Sequence, residues 1–270
     1  MFAYDFMRTA FAAAGLVAVL SGAVGYFLVL RGQTFAGHAL SHVGFTGATG
    51  AVLIGVSPLT GLLGFTVLAG LAMGLIGEKI SGRDVAIGMT LSLALGLGLL
   101  FLHFYTAYAS QAAALLFGNV LGVSDAALWT LAVLAVVSLV ALGVISRPLF
   151  FLSLQPEVAE AKGVPNRFVS TAFLVIVAIA VAECAQIVGV LLVFTLMVGP
   201  AAAAQNLTSR LFPSFMLAVG LALFEAWAGL ALAYVTDWPT SFWITVLSAA
   251  VYFLSFANFR SIGTLQLGQR

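Results

Sequence analysis

Charge is what this chain has least of. Its 270 residues include 10 lysines and arginines and 9 acidic residues, so 7% of the chain is charged. Soluble domains carry about 25% charge, and a soluble fold is excluded on that ground. Cysteine occurs once, as Cys184, which rules out an internal disulfide and a cysteine-rich zinc site. The Gly-x-x-x-x-Gly-Lys-Ser/Thr loop that cradles ATP phosphates is absent. Neither His-Glu-x-x-His nor Gly-x-Ser-x-Gly occurs, which removes the usual intramembrane metalloprotease and hydrolase readings. Ser41 adjoins His42, but neighbours on a helix point about 100° apart and make no catalytic dyad. Phe2 to Arg8 is a poor basic leader with no clear cleavage site after it, so the first apolar run is expected to be a membrane helix.

What the chain has instead is apolar length. The hydrophobic class makes up 63% of it, and the mean hydropathy is +1.17. Its apolar runs repeatedly approach the ~20 residues that cross a bilayer as a helix, and they do not alternate as barrel strands do. The expected fold is all-α: a polytopic transmembrane helix bundle of about nine spans, or eight if the short sixth is not one. The first four spans are expected near 10–30, 33–54, 58–76 and 85–105, with a charged loop at 77–84. The segment 106–124 is less apolar and reads as surface-lying or re-entrant. Ser124 or Asp125 can cap a fifth span that extends to Ile145.

The stretch 146–167 is the longest polar one. Within it, Pro156 to Lys162 reads as a short helix, with proline at the first helical position and Gly163 just past the end. Spans six to nine are expected near 168–182, 186–203, 215–236 and 240–257. If the loop after the fifth span is cytoplasmic, then of the ten basic residues Arg8 alone falls outside. The positive-inside rule therefore predicts the N-terminus outside and the C-terminus inside.

Few ionisable groups lie at bilayer depth: His38, His42, His103, Glu183 and Glu225. His38 and His42 stand four apart in an apolar, glycine-rich helix, so both imidazoles share one face and can reach one metal ion. His42 lies about 14 Å along its span, near the midplane. By the same count Glu225 falls in the outer half of its span. Glu183 falls near the outer end of the sixth span, where a wet junction is the plain alternative to a ligand or gate. Two imidazoles and two carboxylates suit borderline and harder divalent ions such as zinc and manganese. His103, nearer the surface, reads as structural or vestibular, and Cys184 as a packing residue.

Four stretches in order carry a resemblance. They are Arg31 to His42, Phe117-Gly118-Asn119, Gln155 to Val164, and Val188 to Ala204. Together they resemble the membrane permease subunits of bacterial ABC importers for zinc, manganese and iron, over nearly the whole chain. His38 stands where that family commonly has aspartate, and Phe45-Thr46-Gly47 replaces a Leu-Pro-Gly. Exchanging oxygen for nitrogen favours zinc, with manganese or iron as the alternative cargo.

The resemblance implies a single permease domain over 1–270 in the bacterial plasma (inner) membrane, with a cytoplasmic coupling segment at about 153–165. Pro156, Glu157, Glu160, Lys162 and Gly163 would meet an ATPase subunit there. An extracellular or periplasmic metal-binding protein would deliver the ion to a homodimer of permeases. The ion would pass His38 and His42, with Glu183 or Glu225 gating. No permanent cofactor and no nucleic acid are implied, and the chain itself is not an enzyme. The rival reading is a proton-coupled secondary transporter, although no inverted repeat is evident.

Overall fold

A computed structural model describes residues 4–76, 83–104, 116–190 and 192–267. Residues 77–82 of the charged loop expected at 77–84, and 106–115 of the segment expected at 106–124, lie outside the described residues. Among the described residues there are ten α-helices and no strand. They are α1 (Asp5–Leu30), α2 (Thr34–Leu53), α3 (Pro58–Ile76), α4 (Arg83–His103), α5 (Asp125–Leu154), α6 (Pro156–Ala161), α7 (Asn166–Val188), α8 (Val193–Leu207), α9 (Leu211–Thr236) and α10 (Thr240–Leu267). A short 3₁₀ turn, Val120–Gly122, precedes α5. Six of the helices are long and apolar enough to cross a membrane: α1, α3, α4, α5, α7 and α9. The 20-residue α2 is not among them, because glycine, threonine, serine and histidine dilute its apolar content.

Helices form here where the sequence has apolar runs without strong breakers, and they end at identifiable signals. The Ser124 side chain accepts a hydrogen bond from the Ala127 amide at 3.3 Å and caps α5 as expected. The short helix α6 begins on Pro156 and gives way to Gly163 at φ +77°, the expected start and stop.

Three expected boundaries move. Helix α5 does not stop at Ile145 but runs to Leu154 through Pro148, so the polar stretch begins inside a 30-residue helix. Helix α7 continues through Glu183, Cys184 and Ala185, where a junction between spans six and seven was expected. Alanine, glutamate and glutamine are good helix formers and supply no reason to stop. The break falls instead at Gly189, with φ +89°. Helix α10 passes Ala257 and ends at Leu267.

Packing is by close approach of small residues, the usual means in a bilayer, where apolar burial drives little association. Helix α1 is the central post, buried over most of its length against α5, α7, α8 and α9. Gly22 lets α1 approach the backbone of α9 at Ala218 and Val219, and Gly25 does the same at Met197 of α8. Helices α2, α3 and α4 form a second group. In it Gly47 and Gly61 let α2 and α3 touch, and Thr46 Oγ1 donates to the Ala94 carbonyl of α4. Gly70 and Gly74 of α3 then meet Leu174 and Thr171 of α7, joining the groups.

Side-chain bonds sort the helix ends into two sets. At one end Arg31 donates to Ser170 Oγ at 2.7 Å, Gln205 to the Tyr26 carbonyl at 3.0 Å, and Tyr26 to the Leu211 carbonyl at 3.2 Å. These gather the end of α1, the start of α7, the end of α8 and the start of α9. At the other end Thr9 donates to Asp125 at 3.2 Å and Trp227 to the Phe11 carbonyl at 3.1 Å.

Candidate functional site

The helical spacing of His38 and His42 does what it promises. Their ring centroids stand 4.8 Å apart and nearly perpendicular, at 83°. Both side chains are half-buried, on the part of α2 that faces α7 and α8. His38 also meets Phe194, with ring centroids 5.4 Å apart. The backbone around the pair has its own partners: Ser41 Oγ donates to the His38 carbonyl at 2.7 Å and Thr46 Oγ1 to the His42 carbonyl at 3.3 Å.

Phe194 reaches His38 because α8 begins deep in the bundle. Ser248, nine residues into α10, donates to the Thr195 carbonyl at 3.3 Å. At 1.5 Å per residue, that contact lies about 12 Å below the start of α10. Helix α8 has only 15 residues, too few for a span of about 20. The turn between α7 and α8 thus lies inside the bundle. Irregular backbone at such depth is tolerated where protein buries it, and transporters use broken helices of this kind at their sites.

The turn is locked by a contact between two glycines. Gly118 (φ +79°) faces Ile187 to Gly189, and Gly189 (φ +89°) faces Leu116 to Gly118. A side chain on either would collide with the other's backbone. The described part of the segment before α5 thus touches the end of α7 through Gly118 and buries Val120, while Phe117, Asn119, Leu121 and Gly122 stay exposed. Above the contact a cavity of about 540 Å³ opens, lined by Phe6, Asn119, Ile187, Tyr234, Asp237 and Trp238 among others. It occupies the end of the bundle that carries Asp125 and the start of α1.

Glu183 and Glu225 are each fully buried, and among the described residues no hydrogen bond of good geometry reaches an oxygen of either carboxylate. Glu183 does not occupy a wet junction, since it lies within the continuous helix α7. Its neighbour Cys184 packs on α1 with its Sγ 2.7 Å from Ser21 Oγ, as a packing residue would. Glu225 faces Ser248, whose hydroxyl is directed to Thr195.

Among the described residues no three of His, Cys, Asp and Glu come together in a group that could hold a metal ion. The structure thus unites His38 with His42 and leaves Glu183 and Glu225 outside any such cluster. His103 is exposed at the end of α4, beside Phe104. On α6, Glu157, Glu160 and Lys162 are exposed with Pro156 and Gly163, while Ala159 anchors the helix at 0% exposure. Phe194, Ser248 and the pairing of Gly118 with Gly189 carry no signal in the sequence that would assign them to this region.

The model of the ABC 3 transport family matches residues 3–258. The chain belongs to that family. It is accordingly a multi-pass membrane protein and a transport component, as its motifs implied. A relative in Listeria innocua serovar 6a, the manganese transport system membrane protein MntC, is 27% identical and is matched over 94% of this chain and 90% of its own. The manganese import system permease protein ScaB of Streptococcus parasanguinis is 28% identical, over 94% and 90%. Among solved structures, PsaBC from Streptococcus pneumoniae in complex with Fab superposes with a TM-score of 0.84. It is 26% identical and covers 94% of this chain and 91% of that one.

Proposed function

We propose that the chain is the membrane permease of an ATP-driven importer of divalent transition-metal ions, with manganese as the first cargo. The observation that carries it is the imidazole pair beside the broken helix, in a chain of a transport family whose similar members are named for manganese. Those names move zinc, the expected cargo, to second place. It keeps that place because two nitrogen donors suit zinc better than manganese.

In this reading a partner protein delivers the ion to the 540 Å³ cavity. The Gly118–Gly189 contact closes the floor, and opening it would admit the ion to His38 and His42. Glu183 and Glu225 lie outside any cluster with the pair and would gate the passage. Loose, incomplete ligation suits transport, since a closed tetrahedral cage would hold its ion. A cytoplasmic ATPase would dock on the exposed face of α6, and its closure would rock the helices between outward and inward access. The permease works as a homodimer of nine-span, single-domain chains, N-terminus outside and C-terminus inside.

The test is uptake of radioactive manganese and zinc by cells expressing the permease with its ATPase and binding protein. His42→Ala is expected to abolish uptake, and His38→Asp to raise the manganese-to-zinc ratio. Unchanged uptake in both variants returns the pair to helix packing. No ATP-dependent uptake of either metal overturns the importer reading.

A further inference from the structure

A second cavity opens on the flank of the bundle at the end that gathers Arg31, Ser170 and Leu211. It encloses about 340 Å³ between α1, α5 and α9, with Phe27, Phe150, Phe212 and Phe215 in its walls. On α5 the lining residues Gly143, Ser146 and Phe150 recur at helical spacing, so one stripe of that helix forms a wall. Water gains nothing in such a hollow, because it needs two to four polar partners and finds phenylalanine. On a membrane-embedded surface the natural filling is an acyl chain.

The rim is basic. Arg147 follows Ser146 on α5, and Arg210 precedes the wall residue Leu211 at the start of α9. Both arginines are exposed, and neither forms an ion pair among the described residues. The acidic residues of the three helices are placed elsewhere. Asp5 and Asp125 begin α1 and α5 at the opposite end, and Glu225 is buried in the interior of α9. A hollow fit for a chain, with an exposed arginine next in sequence to a wall residue on each of two helices, matches one class of membrane molecule. Basic pockets between membrane helices recruit anionic headgroups in this way.

We propose that this cavity binds an anionic phospholipid, with an acyl chain between α1, α5 and α9 and the phosphate drawn to Arg147 and Arg210. Gly143 gives the chain its room. A Cβ added there meets nothing within 4 Å, so a leucine at 143 begins in open space beside the hollow. The site is independent of which metal is carried.

The experiment is native mass spectrometry of the full-length, delipidated permease titrated with phosphatidylglycerol and, separately, phosphatidylcholine of equal chain length. Wild type is expected to bind phosphatidylglycerol more tightly. Each arginine is worth about fivefold at a membrane surface. The double variant R147Q/R210Q should therefore lose roughly 25-fold for phosphatidylglycerol, while phosphatidylcholine is little changed. R147K/R210K should retain the preference, which separates lost charge from lost folding. G143L should weaken both lipids.

Equal affinity of wild type for the two lipids would overturn the proposal. So would a phosphatidylglycerol affinity that neither R147Q/R210Q nor G143L alters. A second copy of the chain could cover the hollow instead. S146C tests this cleanly, since the one native thiol, Cys184, is buried. Disulfide-linked dimers through position 146 would give the face to the other copy and sink the lipid site.

Discussion

A carboxylate without a partner is expensive inside protein, and among the described residues Glu183 and Glu225 are both fully buried with no well-formed hydrogen bond to either oxygen. Groups kept at such cost within a membrane mark pathways far more often than packing. Glutamine has the same shape and no charge. Glu183→Gln and Glu225→Gln are therefore expected to leave the thermal midpoint of the purified permease unchanged or raised, while metal uptake falls by about tenfold or more, 1.4 kcal/mol on a free-energy scale. Wild-type uptake in both variants would make them packing residues. Glycines at the same scale differ by what a methyl would meet. At Gly25 it would strike the Met197 carbonyl, which is backbone, and at Gly199 the Ser248 hydroxyl, which can rotate away. Gly25→Ala should cost about 1–3 kcal/mol of stability through helix displacement, and Gly199→Ala much less, as read from thermal denaturation in detergent. Equal midpoints would mean that α1 and α8 separate freely.

The break between α7 and α8 makes its own prediction at the scale of elements. Gly189→Ala places a side chain at φ +89°, ψ 151°, a region nearly closed to other residues and costing about 1–3 kcal/mol by itself, and drives it into the backbone of Phe117 and Gly118. Gly32 is the control: it has φ +64° but nothing within 4 Å. Denaturation midpoints should fall further for Gly189→Ala than for Gly32→Ala, and similar falls would remove the glycine contact as a lock. This junction is also where sequence reading loses its grip. The chain has 28 glycines, yet only five of those described, at 32, 55, 118, 163 and 189, have positive φ. Most of the others are packing surfaces, so residue type cannot separate a hinge from a contact. Helices α2, α3 and α6 were legible because their ends coincide with Arg31-Gly32, Ser57-Pro58, Pro156 and Gly163. The extension of α5 was not, because Ser146 and Arg147 look like loop residues, and a proline usually ends a helix. The histidine pair was legible from spacing alone. Phe194 and Ser248 were not, since tertiary approach puts them there.

At the scale of the whole molecule, the two ends of the bundle differ in charge. The start of α1 and the α9–α10 turn bring Asp5 and Asp237 to one end, and Asp125 joins them from α5. Arg31, Arg147, Lys162 and Arg210 belong to the other end. Arg8 is the exception at the acidic end, and there it pairs with Asp5 at 3.8 Å. A membrane holds basic loops on its cytoplasmic side, so the proposed orientation would turn the end bearing α6 toward the ATP supply and the 540 Å³ cavity toward the outside. The chain is convenient for proving this, because its one cysteine is buried and silent toward aqueous maleimides. Ala126, in the first turn of α5, and Ser209, just before α9, are both exposed and lie at opposite ends. In intact cells a membrane-impermeant maleimide is expected to label Ala126→Cys and spare Ser209→Cys. In inside-out vesicles the pattern should reverse. The opposite result would turn the protein over, and the cavity could then no longer receive metal from outside. Labelling of both positions from one side would require an even number of spans between residues 126 and 209, where α5, α7 and α8 provide three in the nine-span arrangement.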